Sequence, residues 1–164
     1  MLNNCYNFYM RLLGIDPGSA ITGYALLDFE DGNITLHSSG SIQTEKSSDK
    51  RLLELFNDMN TVIETYKPDV ASIEKLFFFK NQKTIIDVAQ SRGVILTALE
   101  KNSVPFFEYT PLEVKQILTG YGRADKKEVE KMVKIALNGQ ELPKLDDTVD
   151  AIAIAIAHSR NIRN

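Results

Sequence analysis

The first three apolar segments of the chain are joined by connections too short to hold a helix. Residues 12–15 predict a buried strand, and Asp16-Pro17-Gly18-Ser19 directly after it has the composition of a turn. Residues 22–29 predict a second strand, and Asp31-Gly32-Asn33 predicts a hairpin turn into a third strand over 34–41. Strands joined this tightly must be antiparallel, so the chain begins with a three-stranded meander.

Helical and strand patterns alternate through the rest of the chain. Apolar residues at helical spacing over 48–66 predict a first helix, and residues 70–74 predict a fourth strand. A helix from about 84 to 101, a fifth strand over 104–109 and further helices follow, the last from about 146 to 158. Right-handed crossovers would lay the fourth and fifth strands parallel to the first, which would be central. We therefore expect an α/β fold with a five-stranded mixed sheet, three antiparallel strands then two parallel ones, flanked by helices.

Four carboxylates fall where these elements would bring them together. Asp16 follows the first strand and Glu74 ends the fourth, so neighbouring parallel strands would place them at one edge of the sheet. Asp147 and Asp150 lie three residues apart near the start of the last predicted helix, so they share one helix face. Crowded carboxylates repel one another, and their burial without a partner is costly. The pattern therefore indicates a site for a hard divalent cation such as Mg²⁺.

Composition bounds the class of protein. The 164 residues fit a single domain, and the hydrophobic fraction of 43% and charged fraction of 25% are typical of soluble globular proteins. A single cysteine, Cys5, excludes a disulfide framework. No apolar run approaches the roughly 18 residues of a membrane span, and the first residues do not resemble a signal peptide. We expect a cytoplasmic protein in which residues 1–9 are a candidate disordered extension and residues 10–164 form one domain.

Charge is divided unevenly along the chain. Residues 75–134 contain 11 basic and 7 acidic residues, whereas the remainder contains 8 basic and 15 acidic residues. The net charge of −3 argues weakly against nucleic-acid binding, but this distribution can place a basic surface around an acidic centre. Solvated helix faces are the alternative explanation for these cations.

A series of short motifs runs through residues 11–160. They are Gly14-Ile15-Asp16-Pro17-Gly18-Ser19 with Thr22-Gly23-Tyr24, Ile73-Glu74-Lys75-Leu76-Phe77, Lys80-Asn81, Gln90-Ser91-Arg92-Gly93, Tyr109-Thr110-Pro111, Val114-Lys115, Gly122-Arg123-Ala124-Asp125-Lys126 and Asp147-Thr148-Val149-Asp150-Ala151-Ile152-Ala153. In this order and spacing they resemble the RuvC family of bacterial Holliday-junction resolvases, whose fold is ribonuclease H-like. The segment before Met10 falls outside the family pattern.

The resemblance implies a metal-dependent nuclease site. It carries the family's metal-binding and catalytic carboxylates onto Asp16, Glu74, Asp147 and Asp150. Two Mg²⁺ ions about 4 Å apart would activate a water and neutralise the leaving 3′ oxygen, with Mn²⁺ able to substitute. Asp16 would bridge the ions, Glu74 would hold one of them, and the aspartate pair would hold the other.

The same resemblance implies a DNA-binding surface. The candidates are Phe77, Lys80, Lys83, Arg92, Lys115, Arg123 and Lys126. Phe77 would lie in a loop at the junction and stack on a base, a contact worth about 1–3 kcal/mol, unless it packs in the core. Lys115 and Lys126 match family lysines near the scissile phosphate. The other cations are weaker candidates for the surrounding surface.

The function implied is that of a crossover junction endodeoxyribonuclease in recombination and repair. A homodimer would nick two strands of a four-way DNA junction symmetrically and leave 5′-phosphate ends. The RuvA/RuvB branch-migration complex is the implied protein partner.

Other classes of protein remain open as alternatives. A nucleotide-binding domain of the actin and sugar-kinase type uses a similar hairpin, but it needs two such domains. A YqgF-like nuclease shares the first motif and lacks the ending. A non-catalytic junction-binding module would not need four acids, which weaken DNA binding unless a metal neutralises them.

Two other polar residues of the last predicted helix, Asp146 and His158, are expected to have structural roles and not catalytic ones. Asp146 adjoins Asp147, and we expect it to cap the helix or to interact with its dipole. His158 lies about 12 Å along the helix axis from Asp150, too far to share its metal. We expect His158 to favour the dipole at the end of the helix and to have no catalytic role.

Overall fold

The secondary structure of the protein is defined by a computed structural model that describes residues 9–76 and 82–162. The strands are β1 (Tyr9–Asp16), β2 (Ile21–Glu30), β3 (Asn33–Gln43), β4 (Val70–Glu74) and β5 (Phe106–Tyr109). The helices are α1 (Arg51–Tyr66), α2 (Gln82–Lys101), α3 (Pro111–Thr119), α4 (Lys126–Ala136) and α5 (Asp146–Asn161). Within these residues, no helix is both long enough and apolar enough to cross a lipid bilayer.

The strands form one mixed sheet with β1 in the middle. Their order is β3-β2-β1-β4-β5. The β1–β2 and β2–β3 pairs are antiparallel, and the β1–β4 and β4–β5 pairs are parallel. The predicted fold class is confirmed, including the central first strand.

Helices cover both faces of the sheet and produce two hydrophobic cores. One core joins the sheet to α3, α4 and α5 and includes Leu12, Val70 and Ile152. The other joins the opposite face to α1 and α2 and includes Leu13 and Met59. Because alternate residues of a strand point to opposite faces, each strand contributes to both cores. We call these sides the α5 face and the α1/α2 face.

Two helices begin with the capping pattern that the sequence contains. The Thr110 side chain accepts a hydrogen bond from the Glu113 amide, and the Glu113 side chain accepts one from the Thr110 amide. Asp125 and Glu128 make the same reciprocal pair at the start of α4. Each pair satisfies amides that the first helical turn leaves unbonded. Since Thr110 directly follows β5, the first pair also fixes where α3 leaves the sheet.

The ends of α5 differ from expectation. Its N-cap is Leu145, which makes no side-chain capping bond, so the predicted capping role of Asp146 is wrong. Asp146 lies in the first helical turn, where a carboxylate still favours the dipole. His158 is buried and forms a 2.8 Å hydrogen bond with the Tyr109 hydroxyl. Burial lowers the pKa of His158, which disfavours the protonated ring that would interact best with the helix dipole.

The first described residue already belongs to the sheet. Tyr9 pairs with Glu30, and its hydroxyl donates a 2.8 Å hydrogen bond to Asp28. Tyr9 is therefore part of β1 and not of an extension. Residues 1–8 of the predicted extension lie outside the described residues, and the domain division stays a prediction.

Candidate metal centre

Asp16 and Glu74 are the last residues of two neighbouring parallel strands. Ile15 pairs with Ile73 in the β1–β4 ladder, so the residues that follow them are adjacent. Leu12 belongs to the core on the α5 face, and the two-residue period of a strand places Asp16 on that face. Val70 and Glu74 have the same relation on β4. Both carboxylates therefore lie at the carboxyl ends of their strands, on the face of the sheet that α5 covers.

Two glycines let the backbone of α5 lie directly on the strands. Gly23 pairs with Asp16, and a Cβ built at Gly23 would overlap the carbonyl oxygen of Asp147. A Cβ built at Gly14 would overlap the carbonyl oxygen of Ala151 in the same way. No layer of side chains separates helix and sheet at these points, which we call the glycine seam. The seam holds the first turns of α5, with Asp147 and Asp150, against the strand end that carries Asp16.

Burial and mutual repulsion raise the pKa of three of the four carboxyls. The pKa of Asp16 rises to about 8 because of burial and then because of the charges of Glu74, Asp150 and Asp147, with Lys126 opposing. Burial and the charge of Asp150 raise the pKa of Glu74 to about 7. Burial is also the largest cause of the raised pKa of Asp150. A cation beside these groups would favour their ionised forms at neutral pH.

The four carboxylates interact, but they do not form a ready-made coordination sphere. Across residues 9–76 and 82–162, no three His, Cys, Asp or Glu side chains are arranged closely enough to hold a metal ion. The chemistry of the donors nonetheless fits a hard divalent cation, because all of them are carboxylate oxygens. The raised pKa values of Asp16 and Glu74 mean that their ionised forms are disfavoured unless a positive charge lies beside them. The ligand set stays a prediction that convergence and donor type support.

A cavity of about 240 Å³ brings two of these carboxylates together with two predicted DNA-binding lysines. Its polar lining includes Glu74, Asp150, Lys115 and Lys126. Lys126 Nζ lies 2.9 Å from a carboxylate oxygen of Asp146, and this hydrogen bond is the main cause of the raised pKa of Lys126. Lys126 therefore stays charged. Such a cavity can take a phosphate group through the lysines while its carboxylates face a cation.

Glu74 also borders a larger groove of about 440 Å³, which the start of α2 and the start of α3 line. Arg92 lines this groove, and its guanidinium forms an ion pair with Glu108. The Arg92 Nε also donates a 3.4 Å hydrogen bond to the carbonyl oxygen of Glu74. This predicted DNA-binding residue thus has partners within the protein, and it steadies the end of β4.

The remaining predicted DNA contacts are less defined. Arg123 is exposed in the connection between α3 and α4. Phe77 and Lys80 lie outside the described residues, and so does the side chain of Lys83, although its backbone belongs to α2. A DNA-binding role for these residues stays a prediction.

Sequence reasoning missed Arg51, the first residue of α1. Its guanidinium donates hydrogen bonds to the Ser19 carbonyl at 2.8 Å, the Ser91 hydroxyl at 2.9 Å and the Gln90 side chain at 3.0 Å. A signal was present, because a positive charge at the start of a helix opposes the dipole. An arginine there has a purpose other than stabilising its own helix.

Comparison with known proteins gives consistent matches over almost the whole chain. The family profile described as crossover junction endodeoxyribonuclease RuvC matches residues 12–158. Relatives with that description from Caldicellulosiruptor saccharolyticus and Brevibacillus brevis are 48% and 49% identical, over 91% and 92% of this chain and 92% of each relative. The structure of Thermus thermophilus RuvC in complex with Holliday junction substrate matches with a TM-score of 0.87 and 29% identity, covering 94% of this chain and 95% of that one.

Proposed function

The chain belongs to the RuvC family of crossover junction endodeoxyribonucleases, and on that premise we propose how its residues hydrolyse a phosphodiester bond. The observation that carries the proposal is the convergence of Asp16, Glu74, Asp147 and Asp150, whose charges act on one another at one end of the sheet. These four residues would be the metal ligands and thereby the catalytic residues. When bound, two divalent cations, Mg²⁺ with Mn²⁺ as a substitute, supply an activated water and neutralise the leaving 3′ oxygen.

The positions of the carboxylates suit three different roles. Asp16 is central, since the other three carboxylates all act on its pKa, and it would bridge the two cations. Glu74, at the end of the neighbouring strand β4, would hold one of the two cations. Asp147 and Asp150 would hold the other, because residues three apart share one face of α5.

Lys115 and Lys126 would bind the scissile phosphate. Both line the small cavity with Glu74 and Asp150, so a phosphate held there would lie beside the carboxylate cluster. Positive charge on Lys126 would also offset the charge that develops on the phosphate during attack by water.

The substrate that we propose is a four-way DNA junction, the ligand named for the Thermus thermophilus relative. A junction with two-fold symmetry is most simply matched by a homodimer with one site per cleaved strand. The products would be nicks with 5′-phosphate ends. Phe77, Lys80, Lys83 and Arg123 would contribute to the surrounding DNA surface. A RuvA/RuvB branch-migration complex would supply the junction in the cytoplasm.

The direct test is cleavage of a synthetic junction by the purified protein. We expect nicking in Mg²⁺, none in EDTA, and none of a linear duplex with the same arm sequences. Asp16→Asn, Glu74→Gln and Asp150→Asn should each slow cleavage by more than about 100-fold, because losing an outer-shell partner of a metal already costs up to that much. Junction binding, measured by gel shift in Ca²⁺, should persist in all three variants. If Asp16→Asn cleaves as fast as the wild type, the proposal is wrong.

A further inference from the structure

We propose that Arg51 is a positioning residue for Asp16, because its buried guanidinium fastens the turn that follows Asp16 to helix α2. This inference rests on the proposed function of Asp16. Arg51 is only 8% exposed and donates hydrogen bonds to three residues in two segments that are distant from it in sequence. Ser19 belongs to the turn between β1 and β2, and Gln90 and Ser91 belong to α2.

The partners of Arg51 are all neutral. Among the described residues, no carboxylate lies within ion-pair distance of its guanidinium. A buried charge without an ion-pair partner loses hydration and gains no opposite charge in return, so this residue is a costly way to fill space. What the guanidinium supplies is a planar fork of N–H donors that can bond several acceptors in fixed directions. That property suits a residue that joins a turn to a helix.

The turn that Arg51 holds is short and constrained from both sides. Arg51 binds the carbonyl oxygen of Ser19, and the Thr44 amide binds the next carbonyl, that of Ala20, at 2.8 Å. A Cβ built at Gly18 would overlap the carbonyl oxygen of Ile21, so the turn has no room to relax inward. Asp16 begins this turn, and a shift of Ser19 would therefore move its carboxylate. A displacement of about 1 Å at a catalytic group can cost about 100-fold in rate.

Arg51 acts on Asp16 through geometry and not through its charge. The charges that shift the pKa of Asp16 belong to Glu74, Asp150, Asp147 and Lys126, and Arg51 is not among them. Replacing Arg51 should therefore disturb where Asp16 lies more than how readily it ionises.

Helix α2 steadies the second strand of the site as well. Ser91, which accepts a hydrogen bond from Arg51, also donates one to the Asp87 carbonyl at 3.0 Å and is thereby fixed to its own helix. The next residue, Arg92, bonds the carbonyl oxygen of Glu74. Consecutive residues of α2 thus contact the turn after β1, through Arg51, and the end of β4.

The test compares Arg51→Met and Arg51→Lys with Arg11→Met as the matched control. Arg11 is also a partly buried arginine, but it pairs with Asp28 at the opposite end of β1. Three quantities are measured: Mn²⁺ binding to the DNA-free protein by electron paramagnetic resonance, junction affinity in Ca²⁺, and cleavage rate per folded molecule.

Arg51→Met should weaken Mn²⁺ binding and slow cleavage by at least about tenfold each, as expected for loss of a residue that orients a metal ligand, and leave junction affinity unchanged. Arg51→Lys keeps the charge but not the fork, so it should restore little of either property. Arg11→Met should lower only the melting temperature. Gln90→Leu removes one partner of Arg51 without emptying the site, and it should weaken Mn²⁺ binding in the same direction if Arg51→Met does not fold.

Three results would overturn the inference. They are full rescue by Arg51→Lys, unchanged Mn²⁺ binding and rate in the folded Arg51 variants, and a loss of junction affinity with an unchanged rate. These outcomes are separate from failure of the proposed function, which would appear as junction cleavage by Asp16→Asn or as Mn²⁺ binding that is equal in Asp16→Asn and the wild type.

Discussion

Asp16 lies at the end of a strand and beneath a helix, where it is partly buried. Its pKa is raised from an ordinary value of 3.8 to about 8. Between these two values the folded protein without metal keeps a proton that the unfolded chain releases. The proton therefore contributes stability that is fully present below the unfolded pKa and is lost as the pH rises through the folded pKa.

We expect the metal-free protein to lose thermal stability, relative to its Asp16→Asn variant, as the pH rises from about 4 to about 8. Asparagine has nearly the same shape and does not ionise, so the variant lacks this dependence. Melting curves in EDTA across the pH range measure the difference. At the upper end of the range, Mg²⁺ should raise the melting temperature of the wild type more than that of the variant, because a ligand of the folded state stabilises it. A difference that stays constant with pH would mean that the pKa of Asp16 is ordinary.

Asp146 and Asp147 offer a matched pair of adjacent carboxylates. Asp147 acts on the pKa of Asp16, whereas Asp146 is paired with Lys126 and is largely exposed. Asp147→Asn should slow junction cleavage by more than about 100-fold. Asp146→Asn removes the surface ion pair with Lys126, which is worth about 1 kcal/mol at most, and one of the charges that raise the pKa of Asp150. It removes no proposed metal ligand, so it should change the rate far less. If Asp147→Asn and Asp146→Asn slow single-turnover cleavage equally, the proposed assignment of Asp147 rather than Asp146 as the metal ligand is wrong.

Residue types and spacing predicted that the four carboxylates converge, but they did not predict contacts between side chains that are distant in sequence. His158 shows why, since its surroundings come from Tyr109 and Phe107, about fifty positions earlier in the chain. No local sequence pattern predicts that contact. Without it, the sequence indicates only that His158 lies near the end of a helix. For Arg51 the local signal was a positive charge at the start of a helix, but its partners Ser19, Gln90 and Ser91 lie more than thirty positions away and could not be read from the sequence.

At the scale of elements, the glycine seam sets the distance between α5 and the strands. Gly23 has no room for a methyl group, and Asp147 supplies the backbone atom that fills the space. The seam therefore couples helix packing directly to the position of a predicted metal ligand.

Gly23→Ala should lower the free energy of unfolding by about 1–3 kcal/mol, because the helix must move to admit the added methyl group. Cleavage by the folded fraction should fall as well, since Asp147 moves with the helix. Gly93→Ala is the control, because a Cβ there meets nothing within 4 Å and its site is helical. That change should raise the free energy of unfolding by up to about 1 kcal/mol. Denaturant melts and single-turnover cleavage separate the two effects, and a Gly23→Ala protein as stable as the wild type would contradict the seam.

Element boundaries were predictable where they depend on neighbours in sequence. Residues 70–74 form β4 as expected, and each of the two capping pairs joins residues only three positions apart. The start of β5 was predicted two residues early, since Pro105 contributes only its carbonyl to the ladder, as acceptor for the Ala71 amide. Apolar character marked residues 104–105 as strand, whereas hydrogen bonding to β4 decides the actual start.

At the scale of the whole molecule, the proposed homodimer makes a quantitative prediction for mixed subunits. When wild-type and Asp16→Asn subunits are mixed equally and exchanged, random pairing leaves about a quarter of the dimers with two working sites. On a supercoiled plasmid that extrudes a cruciform, two nicks give linear DNA and one nick gives an open circle. Linear product should therefore fall to about a quarter while open circles accumulate. A fall to only one half would indicate that each subunit acts alone.

The central strand β1 is the best protected part of the sheet. β1 is hydrogen-bonded to β2 and β4, and both of its faces are covered. Backbone amides in such a place exchange with deuterium only when the whole protein opens, whereas exposed segments such as the one that carries Arg123 exchange through small local openings. We therefore expect the strand that carries Asp16 to open only when the whole protein unfolds. If the connection that carries Arg123 contacts DNA as we propose, DNA binding should be lost on gentle warming before the strand that carries Asp16 unfolds.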